Sequence, residues 1–281
     1  MIKHEIVSEE QWLEARRALL VEEKAHTRER DRLSEKRRAL PWVRVKKDYV
    51  FRDADGKVTL GDLFDGRSQL VVYHFMFGPD WQEGCPGCSL LSDQVDGARQ
   101  HFEHNDVSFV AISRGPIAKL HAYRQRMGWK FRWVSSAASD FNLDYHVSFP
   151  KGMREGGVFY NFGERPDPEI DELPGVSVFY MDDDGMMGDH GTIYHTYSTY
   201  GRGGEMFLPV YNWLDVVPKG RNETKNGNLG DWVKRHDRYE DDGRTRTRQT
   251  NPEATATNAE LPAMDVRPSG RAGEPETSRV R

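Results

Sequence analysis

The chain contains two cysteines, and both lie in the run Gly84-Cys85-Pro86-Gly87-Cys88. They follow the most apolar segment of the sequence, residues 70–77. If that segment is a strand and a helix begins near Cys88, unpaired N–H groups and the helix dipole point at the sulfurs and favour thiolate over thiol. Because thiolate is the reactive form, the spacing predicts a redox dithiol, with Cys85 as nucleophile and Cys88 as resolving thiol.

Two other interpretations of the pair stay open. The thiols could belong to a zinc site completed by His74, His101 or His104, although no histidine pair has the spacing of metal ligands. They could also be unreactive packing groups, since apolar burial raises the pKa of a thiol. The sequence has no glycine-rich phosphate turn after a strand, no P-loop and no haem-attachment motif. We therefore expect neither a metal nor another cofactor.

The composition narrows the choice of partners. The 281 residues are 37% hydrophobic and 30% charged, with a formal net charge of -5, which argues against a nucleic-acid or anionic-membrane partner. The first eight residues lack the apolar core of a signal peptide, and no apolar run approaches the roughly 20 residues that span a bilayer. We expect a cytoplasmic protein, where a spaced cysteine pair is more often redox-active than a structural staple.

The first 41 residues are predicted to form a helical extension. Ser8 and Gln11 have the spacing of a capping box, and Pro41 ends the helical pattern. Trp12, Leu19 and Leu20 fall near helical spacing, whereas residues 25–38 are densely charged. This helix is therefore expected either to be solvated or to mediate a homodimer.

Residues 42–237 have the pattern of one α/β domain. Alternating strands and helices predict a parallel sheet with right-handed crossovers, followed by an antiparallel hairpin. A loop-rich insertion is expected around 145–174, and residues 238–281 are too polar to form a core and are predicted to be a disordered tail. The expected strands cover 70–77, 107–112, 131–134, 176–181 and 190–200, and the expected helices cover 89–103 and 116–127.

The predicted order, a strand, a C-x-x-C turn, a helix, a strand, a helix and a hairpin, is that of the thioredoxin superfamily. More narrowly, the chain resembles the bacterial thioredoxin-like family catalogued as domain of unknown function 899, with peroxiredoxin-like features, over about residues 5 to 235. The runs that carry this resemblance are 39–44, 73–81 with 84–88, 126–129 with 133–136, and 195–200 continuing through 214–215 to 218–221.

The resemblance implies a thioredoxin-like three-layer α/β/α fold with a mixed sheet. It also implies a thiol-disulfide oxidoreductase that acts on a protein or small-molecule thiol or disulfide. A peroxiredoxin-like peroxide reductase is one alternative, and a non-catalytic small-ligand-binding or scaffold protein is another. The chain departs from the familiar thioredoxin pattern because proline directly follows the first cysteine, at Pro86.

Two residues near the predicted strand ends are candidate partners of the thiols. His74 is the ionisable side chain of the apolar strand before the cysteines, and it is either a proton carrier or a core histidine. Arg114 directly follows the second strand, and neighbouring parallel strands open onto one crevice. Arg114 is therefore either a thiolate or anion stabiliser or an exposed loop residue.

A polar substrate pocket is also predicted. The segment 194–202 is rich in hydroxyls and rings, and strand alternation would place His195, Tyr197 and Thr199 on one face. Cross-strand pairing within the hairpin would explain the same composition. Pro174 lies just before the first strand of the hairpin, near the position where thioredoxin-like proteins carry a cis-proline beside the cysteines. The predicted pocket residues are Trp81, His195, Tyr197, Arg202 and Arg221.

Overall fold

A mixed β-sheet forms the centre of the computed structural model, which describes residues 4–183, 185, 190–221 and 232–239. Within these residues the sheet has eight strands, and β7 and β8 form a separate two-stranded sheet. The strands are β1 Val43–Arg44, β2 Val50–Asp53, β3 Gly56–Thr59, β4 Gln69–His74, β5 Val107–Ser113, β6 Arg132–Ser135, β7 Val158–Tyr160, β8 Gly163–Arg165, β9 Gly175–Asp182 and β10 Thr192–Tyr200. The α-helices are α1 Glu9–Arg38, α2 Pro86–Asp96, α3 Arg99–His104, α4 Ile117–Arg126, α5 Phe141–Asp144 and α6 Pro209–Asp215.

The strand order identifies the fold. The sheet runs β1-β10-β9-β4-β5-β6-β2-β3, with β4, β5 and β6 parallel and the other pairings antiparallel. Right-handed crossovers that step in one direction from β4 to β6 place α2 and α4 on the same face. The central strand β4 thus lies between a parallel neighbour and an antiparallel hairpin, with the cysteine helix after it. This is the thioredoxin-like α/β fold that the sequence predicts.

Side chains of β4 alternate between two apolar clusters. Leu70 and Val72 belong to the cluster around Phe64 and Phe141, which the short helix α5 and the 3-10 turn Gly61–Phe64 cover. Tyr73 belongs to the other cluster, which α2, α4 and α6 cover and which contains Cys88. The alternation therefore decides which strand side chains can reach the cysteines.

Two boundaries near the cysteines differ from the sequence prediction. The helix α2 begins at Pro86, three residues before the expected start, because proline suits the first helical position with its fixed φ and missing N–H. The strand β4 ends at His74, although Phe75 and Phe77 beyond it are also buried. Apolarity predicted their burial correctly, and the backbone stays hydrogen-bonded beside β5, since the Phe75 N–H donates to the Ile112 carbonyl and the Phe77 carbonyl accepts from the Gly115 N–H.

Several predictions about domain limits stay untested. Residues 145–174 contain β7, β8 and a 3-10 turn, Lys151–Met153, which does not settle whether the segment is an insertion. The tail predicted for residues 238–281 lies outside the described residues beyond Tyr239. Of the helices that the structure describes, none is both long and apolar enough to cross a bilayer.

Helix α1 begins as predicted and buries none of its residues. Ser8 and Gln11 form the capping box, each side chain bonding to the other residue's backbone N–H. The helix continues to Arg38, and the side chains of Trp12 and Leu19 are 57% and 50% exposed. Apolar side chains of this size on an unburied helix are typical of an interface. The homodimer through this helix stays a prediction.

Replacing Leu19 with aspartate should lower the molar mass measured by light scattering, because it places a charge in the contact expected to hold two copies together. The matched control is Val21→Asp, since Val21 is 66% exposed and lies about 200° around the helix from Leu19. An unchanged mass for Leu19→Asp, or an equal loss for Val21→Asp, would contradict a dimer formed through this face.

Candidate functional site

Cys85 forms the N-cap of α2, and its backbone is fixed on both sides. Its N–H donates to the carbonyl of Met76 over 3.2 Å, which ties the cysteine turn to the segment after β4. Its carbonyl accepts from the N–H and the hydroxyl of Ser89, both over 2.9 Å. The helix amino terminus therefore lies against the Cys85 side chain, as the sequence analysis expected.

The environment of Cys85 lowers the pKa of its thiol to about 7. The largest cause is a hydrogen bond from the Cys88 thiol, which outweighs the opposing effect of burial. The backbone N–H groups of Cys88 and Gly87 contribute next, and the positive charge of Arg235 contributes further. Cys85 is also a partly exposed residue, and a low thiol pKa with partial exposure is typical of reactive cysteines.

Cys88 has the opposite environment. It is 2% exposed, and burial raises the pKa of its thiol well above the ordinary value. The Tyr73 hydroxyl and the Met76 N–H both donate hydrogen bonds to its sulfur, which opposes that rise. A chain of donors thus runs from Tyr73 through Cys88 to Cys85. Two thiols of unlike acidity are the arrangement that a nucleophile and a resolving thiol need.

The segment 232–239 holds the cysteine turn from outside. Arg235 donates through Nε and Nη2 to the carbonyl of Gly84, at 3.0 and 2.6 Å, and its Nη1 lies 3.0 Å from Glu83 Oε2. Asp237 forms an ion pair with Arg126 of α4. Gly84 has no room for a side chain, because an added Cβ would lie 2.6 Å from the Phe75 ring. These contacts fix the residue directly before Cys85.

A cavity of about 330 Å³ adjoins the two cysteines. Its wall includes the turn at Pro86 and Gly87, the start of β9 at Pro174 and Gly175, and the end of β10. Pro174 therefore lies in the cavity wall near the cysteines, but the peptide bond before it is trans, not the cis bond that the resemblance implied. A concave and largely apolar space beside a reactive group is the usual form of a small-molecule site.

His74 lies on the other side of β4 from the cysteines. Its ring stacks on Phe141 and Tyr145 with centroid distances of 5.7 and 5.9 Å. Its Nε2 is 2.8 Å from Ser177 Oγ, and burial lowers its pKa to about 3. The structure therefore places His74 as a neutral core histidine and does not bring it to the thiols, because Tyr73 occupies the cysteine-facing position.

Arg114 forms an ion pair away from the cysteines. Its Nε donates to Oε1 of Glu172 over 2.7 Å, and Ser148 donates to the other carboxylate oxygen. Glu172 is 2% exposed, and burial raises the pKa of its carboxyl. The pair connects the end of β5 to the segment before β9, so the structure places Arg114 in a buried contact and brings Arg235 to Cys85 instead.

Among the five residues predicted for the substrate pocket, none lines the cavity. Arg202 and Arg221 reach its rim indirectly, since they donate to Glu205 over 2.6 and 3.1 Å and Glu205 is part of the wall. Arg221 also binds Asp215 and stacks over Tyr211. Trp81 instead packs at the edge of the apolar core.

A β-bulge explains where His195 and Tyr197 lie. The pairing of β10 with β9 shifts between these two residues, so the alternation assumed from the sequence changes there. His195 Nε2 lies 2.7 Å from Ser198 Oγ and 3.0 Å from the Tyr197 carbonyl, within the hairpin. Beyond the bulge, Thr199 and Tyr200 reach the cavity.

The sequence analysis missed three residues of the site. Tyr73 belongs to the same apolar run as His74, and alternation shows that only one of the two can face α2, but not which one. Glu205 lies in the 3-10 segment Gly201–Phe207, which the sequence does not predict. Arg235 is 147 positions from Cys88 in the sequence, and no local pattern indicates their proximity.

The histidines considered for a zinc site are not found in a metal-ligating group with the thiols among the described residues. His101 and His104 belong to α3, and His74 faces the opposite cluster. No group of three or more metal-ligating side chains is found in the described part of the chain.

The sequence and structure were compared with curated proteins and with solved structures. No curated protein matches this chain. Similar solved structures include peroxidoxin BcpB from Mycobacterium tuberculosis, which is 14% identical with a TM-score of 0.39 and aligns over 60% of this chain and 94% of its own. A PrxQ mutant from Xylella fastidiosa is 15% identical with a TM-score of 0.37, over 59% and 88%. The mitochondrial 2-Cys peroxiredoxin from Plasmodium falciparum is 14% identical with a TM-score of 0.36, over 62% and 92%.

The family is established by a match over most of the chain. Residues 1–239 match the family described as bacterial protein of unknown function (DUF899), which confirms the resemblance that the four sequence runs indicated. The chain belongs to this family.

Proposed function

We propose that this protein is a dithiol-disulfide oxidoreductase in which Cys85 is the nucleophile and Cys88 is the resolving thiol. The observation that carries the proposal is the unlike environment of the two sulfurs. Cys85 is partly exposed at a helix amino terminus with a lowered pKa, and Cys88 is buried behind it with a raised pKa. The proposal includes a cytoplasmic location, where thioredoxin- and glutathione-type systems keep thiols reduced.

In the first step the Cys85 thiolate attacks one sulfur of a disulfide substrate. The substrate S–S bond breaks, a mixed disulfide forms at Cys85, and the first substrate sulfur leaves as a thiolate that takes up a proton. Before the attack, the Cys88 thiol stabilises the Cys85 thiolate by donating a hydrogen bond to it. Cys85 is therefore the first of the pair to ionise.

In the second step Cys88 attacks the sulfur of Cys85. Cys88 first gives up its proton, and the Tyr73 hydroxyl and the Met76 N–H are in place to stabilise the resulting thiolate. The second substrate sulfur leaves and is protonated. The protein then holds a Cys85–Cys88 disulfide, and two electrons have passed to the substrate, which is released as two thiols. A thiol or dithiol reductant restores the protein.

A single-turnover experiment tests this proposal. The fully reduced protein, freed of reductant, is mixed with bis(2-hydroxyethyl) disulfide, and the thiols released and the protein mass are measured. We expect two substrate thiols per chain and a protein lighter by two hydrogen atoms. A Cys85→Ser control should release none. Absence of release from the unaltered protein would contradict the proposal and favour a ligand-binding role. Faster oxidation by peroxide, through a sulfenic acid at Cys85, would favour a peroxide reductase.

The reactivity of Cys85 should follow pH with a midpoint near 7. Below that pH the thiol form dominates and alkylation by iodoacetamide slows, whereas above it the thiolate dominates and the rate levels off. At pH 7 about half of Cys85 is then thiolate, against about 3% for a cysteine with the ordinary pKa of about 8.5. Alkylation rates from pH 5 to 10 measure this midpoint.

The variant Arg235→Met should move the midpoint to higher pH, because it removes a positive charge that favours the thiolate. Arg238→Met is the matched control, since Arg238 also pairs with Glu83 but is not among the groups that lower the pKa of Cys85.

For the unaltered protein, an alkylation midpoint near 8.5 would show that the turn does not activate Cys85.

A further inference from the structure

The cavity beside the cysteines has a chemical character that the proposed dithiol function does not specify. Its wall is formed largely by apolar side chains from four parts of the chain. Leu90 and Leu91 come from α2, Val176 comes from β9, Leu208 precedes α6, and Val233 belongs to the segment that holds the cysteine turn. Burial of Leu208 and Val233, at 8% and 9% exposure, shows that these side chains pack inward.

The polar groups of the wall do not favour an anionic ligand. Among the described residues that line the cavity, Glu205 is the one with a carboxylate, and none has a lysine, arginine or histidine side chain. Its carboxylate already accepts from Arg202 and Arg221, which face it from the rim. A ligand with carboxylates would meet this acidic group and lose hydration in an apolar space, at a cost that no lining cation offsets.

The position of Cys85 also restricts the size of the ligand. Cys85 lines the cavity and is only partly exposed, so we expect a disulfide to reach its sulfur through the cavity. The cavity has a volume of about 330 Å³. A disulfide with one small organic group on each sulfur therefore fits beside Cys85 more readily than the backbone of a folded protein around its disulfide.

We infer that the substrate class of this site is small, uncharged disulfides with apolar substituents, and that protein disulfides and anionic disulfides are poor substrates. The inference rests on the proposed function, because it requires Cys85 to attack the bound disulfide. The apolar groups of the substrate occupy the space between Leu90, Val176 and Leu208, and its S–S bond lies against Cys85. The electron and proton balance is that of the two steps given above.

A chain-length series tests the inference. Single-turnover rate constants are measured for diethyl, dipropyl and dibutyl disulfide, for 3,3'-dithiodipropionate and for native insulin. Each constant is divided by the corresponding constant for free N-acetylcysteine, which removes intrinsic reactivity. We expect the ratio to rise about fourfold for each methylene group that leaves water, until the cavity is full. The dicarboxylate and insulin should show ratios below that of diethyl disulfide.

The Gly204→Leu variant provides a test that depends on the cavity itself. Gly204 lines the cavity, and an added Cβ would meet no atom within 4 Å, so we expect a leucine there to narrow the space without a clash at the backbone. The rise with chain length should then stop at a shorter disulfide, while the pH midpoint of Cys85 alkylation stays near 7, since Gly204 is not among the groups that lower the pKa of Cys85. Gly152→Leu is the matched control, since that glycine also has open space and lies outside the cavity.

The outcomes separate the inference from the function on which it rests. If no disulfide in the series oxidises the reduced protein, the dithiol function fails, and the inference fails with it. If all the disulfides react but the normalised rates are equal, or insulin and the dicarboxylate are favoured, the function stands and the substrate class is wrong. An unchanged series in Gly204→Leu would place the substrate outside this cavity.

Discussion

The Cys88→Ser variant will accumulate a covalent mixed disulfide at Cys85 when it is mixed with a small disulfide. Cys85 keeps its accessible position at the start of α2, so the first step proceeds. The hydroxyl that replaces the Cys88 thiol cannot attack the Cys85 sulfur to form a disulfide, so the second step stops. Intact-mass spectrometry should show one substrate half per chain, and peptide mapping should place it on Cys85.

The single variants also have an expected order of reactivity. Cys85→Ser should react at the background rate, because Cys88 is buried and its thiol has a raised pKa. Cys88→Ser should retain the first step at pH 7, since the serine hydroxyl is a stronger hydrogen-bond donor than a thiol and can also stabilise the Cys85 thiolate. An adduct on Cys88 in the Cys85→Ser variant, at a rate equal to that of the native protein, would reverse the assigned roles.

The placement of the two cysteines at the start of a helix could be predicted from sequence because it depends on neighbouring residues. An apolar strand, a C-x-x-C turn and a helix follow one another along the chain, and a helix amino terminus affects the side chains directly beside it. The capping box at Ser8 and the hairpin of β9 and β10 are local in the same sense. In each case the residues that decide the structure are neighbours in the sequence.

The rest of the site depends on contacts between distant residues. The choice between Tyr73 and His74 requires knowing which face of β4 receives α2, and strand alternation alone does not supply it. The prediction for His195 and Tyr197 assumed an unbroken strand, and one bulge changes which side chains share a face. Arg235 reaches the cysteine turn only because the chain returns to it after α6.

Removing one member of the ion pair between Arg114 and Glu172 should lower the stability of the fold. Removing one member of a buried ion pair leaves the other charge without compensation and typically costs about 3 to 5 kcal/mol. Glu172 is 2% exposed and Arg114 is partly exposed, so we expect the lower end of that range for Glu172→Ala. Urea unfolding should show the loss as a lower midpoint with an unchanged slope.

The double variant Arg114→Met with Glu172→Met distinguishes a structural pair from a catalytic arginine. It removes both charges together, so it should be more stable than either single variant, since no buried charge is left alone. In Arg114→Met the pH midpoint of Cys85 alkylation should stay near 7, because the guanidinium that lowers the pKa of Cys85 belongs to Arg235. A midpoint that rises in Arg114→Met, with stability unaffected, would instead make Arg114 a thiolate stabiliser. The two measurements therefore assign Arg114 to one role, because a loss of stability alone reports the pair with Glu172 and a shift of the midpoint alone reports an effect on the thiol.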